Sequence, residues 1–239
     1  MLPARVDINP NDIDICKGAA PGTDFAARKK IDMKKFYENH ILPGLVHHVC
    51  AHEKFSPERG KIVPRATGVV VELGIGSGLN LPFYDHEKIK AVIGVDPSSR
   101  LAERAAERVR AAPFDVELLA ISAEELPLED NSADTVLTTF SLCTIPDLAA
   151  AFSEARRVLK PGGQLLFCEH GLADEARIAK WQNRLNPFWM PFSGGCHLNR
   201  DIPALIRGSG FEITGMESGF MDGAPGIGGF LYRGAAKAR

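Results

Sequence analysis

A glycine-rich loop that directly follows an apolar run constrains the fold of this chain more than any other feature. Residues 68–73 read GVVVEL, and the next five read GIGSG. A continuous β-branched run is typical of a strand buried on both faces, as in a parallel sheet. Glycines after such a strand let the backbone pass close to a ligand at its carboxyl end. The pattern therefore predicts a ligand-binding loop between a first strand and a helix.

Short apolar runs alternate with helical segments along the rest of the chain. Later strands are predicted at 91–95, 116–119, 135–140, 164–168, 211–216 and 229–236. Helices are predicted at 100–111, at 148–159 and from about residue 201. This alternation predicts a doubly wound α/β domain over residues 68–239.

Residues 1–67 are predicted to form an N-terminal arm and a helical cap. The arm spans residues 1–24, and apolar residues recur at helical spacing over 31–50, where Pro43 would kink or divide the helix. Residues 56–67 are interpreted as a linker. Basic residues at 28–35 allow a membrane-surface contact, although a solvated helix start is the simpler interpretation.

Composition narrows the function classes. The net charge of -2 over 239 residues argues against a nucleic-acid partner, which would need clustered Lys and Arg in excess. Neither a signal peptide nor a membrane span of ~18 apolar residues is recognisable, so a cytoplasmic protein is predicted. Five cysteines form no CxxC pair, which favours reduced thiols over a disulfide framework.

The loop after the first strand is better suited to a cationic ligand than to a dinucleotide. Its spacing is GxGxG, whereas a dinucleotide fingerprint reads GxGxxG. Glu72 stands immediately before the glycines, where its carboxylate would repel a pyrophosphate. S-adenosylmethionine (SAM) has no phosphate but carries an ammonium and a sulfonium, so it fits this charge. A solvated glutamate at a strand end is the other interpretation.

Two later loops complete a candidate cofactor site. Asp96 closes the second strand, about 20 residues beyond the glycines, where an acidic side chain can accept both ribose hydroxyls of NAD or SAM. Residues 122–127, after the third strand, supply a loop where the adenine edge would lie.

Four segments in this order, VVVELGIGSGLN, GVDPS, AEELPLEDNSADTV and EARRVLKPGGQLLF, resemble the successive SAM-binding motifs of class I methyltransferases. The resemblance implies a Rossmann-like, mostly parallel seven-stranded sheet of order 3-2-1-4-5-7-6 with an antiparallel last strand. It also implies a set of cofactor-binding residues: Glu72, Gly74, Gly76, Gly78, Asp96, Pro97, Ala123, Glu124 and Ser141. Ser122 replaces the Asp common at its position, which removes an expected hydrogen bond to the adenine amino group.

A finer resemblance lies on the acceptor side. Residues 141–144 (SLCT), 168–170 (CEH) and a block from Trp181 to Arg200 resemble the methyltransferase-like family that includes membrane-bound alkyl-thiol S-methyltransferases. This implies a small apolar thiol as methyl acceptor, although the hydrophobic N-terminal anchor of the animal members is missing. Bacterial phosphatidylethanolamine N-methyltransferases are also similar, so a lipid amine is an alternative. A non-catalytic SAM-binding module is another.

Acceptor-site residues are predicted in a lid at about 174–200, over the carboxyl ends of the strands. Trp181 and Trp189 belong to an aromatic cluster that would wall an apolar pocket or, alternatively, only cover the sheet edge. The other predicted acceptor contacts are Tyr37, Cys143 and Cys196.

His170 is the predicted general base, because it follows the fifth strand and titrates near neutrality. A histidine that only hydrogen-bonds its own loop is the alternative. Together with Cys143, Cys196 and His197, it could converge into a soft-metal or arsenite site. The sequence lacks paired metal-ligand spacing, so no metal is predicted.

Overall fold

Seven strands form one sheet in the computed structural model, which describes residues 37, 41–224 and 226–239 except for the Val46 side chain. The strands are β1 Gly68–Leu73, β2 Ile89–Val95, β3 Asp115–Leu119, β4 Ala133–Thr139, β5 Leu159–His170, β6 Phe211–Phe220 and β7 Phe230–Ala238. Their spatial order is β3-β2-β1-β4-β5-β7-β6. Strands β1 to β5 pair in parallel, and β7 is antiparallel to both β5 and β6. The predicted order and antiparallel last strand are confirmed.

Six α-helices accompany the sheet in the described part of the chain. They are α1 Leu42–Cys50, α2 Ser56–Ile62, α3 Ser99–Ala111, α4 Leu148–Val158, α5 Ala176–Trp189 and α6 Ile202–Gly208. Helices α3, α4 and α6 each have a side-chain N-cap. The side-chain oxygen of the N-cap residue accepts a hydrogen bond from a backbone N–H in the first turn, and the three N-cap residues are Ser98, Asp147 and Asp201. Helices α3 and α4 match the predicted segments at 100–111 and 148–159.

Two local predictions were wrong. The linker interpretation of residues 56–67 fails because Ser56–Ile62 is a helix with proline in its first turn, a favourable position for that residue. The glycine loop does not lead into an α-helix. Its turns are followed by the short 3-10 helix Leu81–Phe83, and Gly78 reverses the chain at a φ of +73°.

The sheet carries an apolar layer on each face, because successive side chains of a strand point to opposite sides. Val71 packs in one layer with Phe152 and Phe167. Val70 packs in the other with Ile62 and Leu166. Since Ile62 comes from α2, the segment predicted as a linker contributes to the core.

The chain leaves β1 toward β2 and β3 on one side and resumes at β4 on the other. Such a switch in strand order leaves a crevice at the carboxyl ends of the central strands, which is where open α/β sheets bind ligands. Helix α1 is the described part of the predicted N-terminal cap. The predicted arm and the basic residues at 28–35 lie outside the described residues.

Candidate active site

A cavity of about 390 Å³ lies at the carboxyl ends of the central strands. Seven of the nine predicted cofactor residues line it: Glu72, Gly74, Gly76, Asp96, Pro97, Ala123 and Ser141. The other two, Gly78 and Glu124, are not among its lining residues. Sequence reasoning therefore located the polar end of this cavity.

The backbone amides of the glycine loop are already paired within the protein. The amides of Gly74 and Ile75 both donate to the Val95 carbonyl, at 2.7 and 3.1 Å. The Gly76 amide donates to Oδ2 of Asp96 at 3.1 Å. A phosphate-binding loop needs free N–H groups directed at its ligand, and these three amides are not free.

Gly74 allows the loop to approach the segment that follows β4. Its φ is +74°, and a Cβ there would lie 2.4 Å from the Cβ of Ser141. Any larger residue would separate the two loops that form this wall of the cavity. The hydroxyl of Ser141 donates to the Leu73 carbonyl at 2.8 Å and so joins the same two segments.

Glu72 is buried, with 1% of its surface exposed, so it is not a solvated residue at a strand end. Oε1 accepts a 2.8 Å hydrogen bond from the Asn80 amide, and Oε2 accepts a 2.6 Å bond from the Tyr84 hydroxyl. Burial raises the pKa of Glu72, and these two hydrogen bonds oppose the rise. The carboxylate is held rigidly at the cavity wall.

Arg59 is a site residue that sequence reasoning missed. Its buried guanidinium donates to Oδ1 of Asn80 at 2.8 Å and to Oγ1 of Thr139 at 3.0 Å. It also lies 5.2 Å from the centre of the Phe140 ring, within range of a cation–π contact. Ser-Pro-Glu at residues 56–58 is a helix-start pattern that could have placed Arg59 on a helix.

Asp96 accepts two backbone hydrogen bonds while facing the cavity. Oδ1 accepts from the Ser98 amide at 2.9 Å, and Oδ2 accepts from Gly76. Burial raises the pKa of Asp96, and the two amides oppose this effect. Because a carboxylate oxygen has more than one acceptor site, each can still receive a ligand hydroxyl.

The loop after β3 contributes Ser122 and Ala123 to the cavity. Glu124 has a different contact. One of its carboxylate oxygens accepts a 2.8 Å hydrogen bond from the Asp147 amide, and the other accepts from the Ser122 hydroxyl. Glu124 therefore connects this loop to the start of α4.

Glu169 does not line the cavity but supports the loop after β4, a role that was not predicted. It is fully buried, and its Oε1 accepts from the Thr138 hydroxyl at 2.6 Å and from the Ser141 amide at 3.2 Å. Oε2 accepts from the Leu142 amide at 3.1 Å. Burial raises the pKa of Glu169 to about 7. This side chain fixes the start of the loop after β4.

Three of the predicted acceptor-side residues cluster. Nε2 of His170 lies 3.3 Å from Sγ of Cys196, and one donor atom each of Cys143, His170 and Cys196 lies within 4.8 Å of the others. Hydrogen bonds from Cys143 and His170 lower the pKa of Cys196. None of the three lines the cavity, but Thr144, next to Cys143, and Gly194, two residues before Cys196, do.

The predicted aromatic contacts lie elsewhere. Trp181 and Trp189, on α5, are about half exposed and are not among the cavity-lining residues. The Tyr37 hydroxyl donates to the Phe192 carbonyl at 2.5 Å. The apolar end of the cavity is formed instead by side chains that were not predicted: Leu42, Pro43, Cys50, Phe140 and Ile145.

A protein-family comparison agrees with this architecture. Residues 71–167 match the family described as a methyltransferase domain. The seven-stranded sheet that contains these residues has the Rossmann-like class I fold found in solved SAM-dependent methyltransferases.

Individual relatives are named as methyltransferases. The chain is 31% identical to the thiol S-methyltransferase TMT1B of Rattus norvegicus over 62% of each protein. It is 34% identical to a phosphatidylethanolamine N-methyltransferase of Cereibacter sphaeroides, over 51% of this chain and 60% of that one. The match thus spans about three fifths of the length of these relatives.

A solved structure with a similar fold is a SAM-dependent methyltransferase of Thermotoga maritima, described as a possible histamine N-methyltransferase. It is 25% identical, with a TM-score of 0.60, over 87% of this chain and all of that chain. None of the helices described in the present structure has the length and apolar character needed to cross a membrane.

Proposed function

We propose that this protein transfers the methyl group of SAM to a small hydrophobic thiol. The observation that carries the proposal is the cavity, which joins a polar end at Glu72 and Asp96 to an apolar end at Leu42 and Ile145. A charged cofactor and an apolar acceptor can therefore occupy adjacent parts of one cavity.

The polar end suits SAM. The Glu72 carboxylate faces a site where a cationic ligand gains from a buried negative charge, and Asp96 can accept ribose hydroxyls. The first three amides of the glycine loop are already paired, which disfavours a pyrophosphate. The methionine part of SAM would lie near Glu72 and its adenine near Ala123.

The apolar end supports a small hydrophobic acceptor. Leu42 and Pro43 of α1 face the loop after β4, which contributes Phe140 and Ile145. Ligand pockets are mostly apolar with a few placed polar groups, as here. The curated relatives named as thiol S-methyltransferases support a thiol in particular.

Positioning would supply most of the rate acceleration. The acceptor sulfur bonds to the methyl carbon as the bond from that carbon to the SAM sulfur breaks, leaving S-adenosylhomocysteine. Positioning is worth roughly 7–11 kcal/mol. For a thiol of pKa ~8.5, about 3% is thiolate at pH 7, so complete deprotonation adds only ~2 kcal/mol. His170 as general base is the proposed source of that smaller contribution.

A lipid amine is the second candidate acceptor, because the relative from Cereibacter sphaeroides is a phosphatidylethanolamine N-methyltransferase. An amine also attacks the methyl carbon in line, so the cavity alone does not separate these substrates. Phe188 and Phe192 belong to the predicted lid at about 174–200, and at 72% and 71% exposure they would suit a lipid surface.

The test is S-adenosylhomocysteine formation from SAM with matched panels of alkyl thiols, amines and phenols, and with phosphatidylethanolamine vesicles. The proposal expects turnover with apolar thiols well above that with the other panels. Turnover only with the vesicles would replace the thiol by a lipid amine. SAM binding by calorimetry without turnover on any panel would favour a non-catalytic SAM-binding module.

A further inference from the structure

Cys143, His170 and Cys196 bring two sulfur atoms and one ring nitrogen to a single point. All three donor atoms lie within 4.8 Å of one another, and Nε2 of His170 is 3.3 Å from Sγ of Cys196. Ligands of one tetrahedral zinc ion are separated by about 3.5–3.8 Å when zinc–sulfur and zinc–nitrogen distances are ~2.3 and ~2.0 Å. Small side-chain adjustments would bring the three atoms to such distances.

Backbone and side-chain contacts hold the two cysteine-bearing loops together. The His197 amide donates to the Cys143 carbonyl at 2.9 Å. Arg200 donates to the carbonyls of Leu142 and Ile145, on either side of Cys143. Metal ligands usually have such outer contacts that fix their orientation. The cluster is therefore held in place by contacts independent of its three donor side chains.

The His170 ring has no other hydrogen bond in the described part of the protein. Its Nδ1 atom is buried and has no hydrogen-bond partner among those residues. The polar interactions of this ring are thus confined to the side of Cys196. Buried polar atoms without partners are rare, and each needs a physical explanation.

The charge of the cluster also matches a divalent cation. Thiol ligands lose their protons when a metal binds, so a bound ion would face two thiolates and one neutral imidazole, whose two negative charges a divalent ion cancels. Burial of uncompensated charge is expensive, so a neutral set of ligands and ion is favourable. Thiolate ligands select thiophilic ions such as Zn²⁺ over Mg²⁺ or Ca²⁺, which prefer oxygen.

We propose that Cys143, His170 and Cys196 form a binding site for one thiophilic divalent cation of the Zn²⁺ class. Three protein ligands leave one tetrahedral position for a water molecule or an added ligand, as in zinc sites that are not purely structural. Thr144, next to Cys143, and Gly194, two residues before Cys196, line the cavity that contains Glu72 and Asp96, so the cluster lies beside that cavity.

Zinc binding by the reduced, chelator-treated protein tests the site without SAM or acceptor, so its outcome is independent of the proposed activity. Equilibrium dialysis against Zn²⁺ in excess Mg²⁺ should give one Zn²⁺ per chain. Cys143→Ser and Cys196→Ser should each weaken binding by more than the roughly 100-fold that loss of an outer contact can cost. Cys50→Ser, a thiol outside the cluster, should bind like the native protein.

Alkylation of the native protein gives a readout that needs no variant. Bound Zn²⁺ should slow labelling of partly exposed Cys196 and leave labelling of Cys50 unchanged. Absence of stoichiometric Zn²⁺ binding by the native protein would overturn the site. Equal labelling of Cys196 with and without Zn²⁺, or undiminished binding in folded serine variants, would do the same.

Discussion

The Arg59 guanidinium donates a 2.8 Å hydrogen bond to Oδ1 of Asn80, whose own amide donates to Glu72 at 2.8 Å. Asn80 therefore bridges a buried cation on α2 and a buried carboxylate at the end of β1. This connection sets the position of Glu72 at the cavity wall, although Arg59 and Glu72 are 13 residues apart in the chain.

Arg59→Met should destabilise the protein by about 1–3 kcal/mol, because Asn80 loses a buried hydrogen-bond donor. SAM affinity should fall as well, since Glu72 loses its support. Urea unfolding and calorimetric titration with SAM measure the two effects. Lys61→Met, which removes an exposed cation of the same helix, should change stability by less than about 0.5 kcal/mol. Native stability in Arg59→Met would contradict this account.

Asp96→Ala should weaken SAM binding by ~2 kcal/mol, because two ribose hydroxyls lose a charged acceptor. The measurement is a calorimetric titration with SAM, with NAD as the ligand that should not bind. Asp115→Ala, at an exposed position at the start of β3, is the control and should bind normally. An unchanged SAM affinity in folded Asp96→Ala would remove Asp96 from the site.

Gly74→Ala separates a steric clash from backbone strain. An L-residue at a positive φ costs roughly 1–2 kcal/mol, and a side chain at Gly74 adds a Cβ contact of 2.4 Å with Ser141. Gly162 has a φ of +84°, and no atom lies within 4 Å of where a Cβ would stand, so Gly162→Ala carries strain alone. We expect Gly74→Ala to lose more stability in urea unfolding and to weaken SAM binding more than tenfold. Equal losses in both variants would show that the clash relaxes.

Glu169 should make stability fall as pH rises toward neutrality. Its pKa is raised from 4.5 to about 7 in the folded protein, so the folded state keeps a proton that the unfolded chain releases. The stability that this retained proton gives the folded state is fully present below pH 4.5 and is lost as pH rises through 7. The free energy of unfolding should change by ~3 kcal/mol over this range, because the group is fully buried. The stability of the native protein relative to Glu169→Gln should therefore decrease between pH 4.5 and 8, measured by urea unfolding. A constant difference would exclude the raised pKa.

His170→Ala distinguishes a general base from a metal ligand. Loss of a base should slow turnover of a thiol of pKa ~8.5 by about 30-fold at pH 7, with recovery near pH 9, where solvent supplies the thiolate. Loss of a ligand should instead abolish stoichiometric Zn²⁺ binding, and higher pH would not restore that. Native turnover at both pH values would exclude the base.

The sequence by itself determined the fold and the polar end of the site. Buried strands are recognisable in the sequence as continuous β-branched runs, and the ligand loop is recognisable as glycines directly after one of these runs. Both features are specified by consecutive residues, so the sequence alone can predict them. Glu72 is the penultimate residue of β1 and Asp96 directly follows β2. Both could be predicted as neighbours because the carboxyl ends of adjacent parallel strands meet at one edge of the sheet.

Only the tertiary structure decided which distant residues meet there. Arg59 reaches Thr139 across 80 positions, a contact that no spacing pattern could predict. The sequence allowed Cys143 to converge with Cys196, but only the structure shows that these residues meet across 53 positions. The apolar wall of the cavity comes from α1 and the loop after β4 rather than from Trp181 and Trp189. Side-chain direction on a helix depends on how that helix packs against the rest of the chain, and periodicity does not specify that packing.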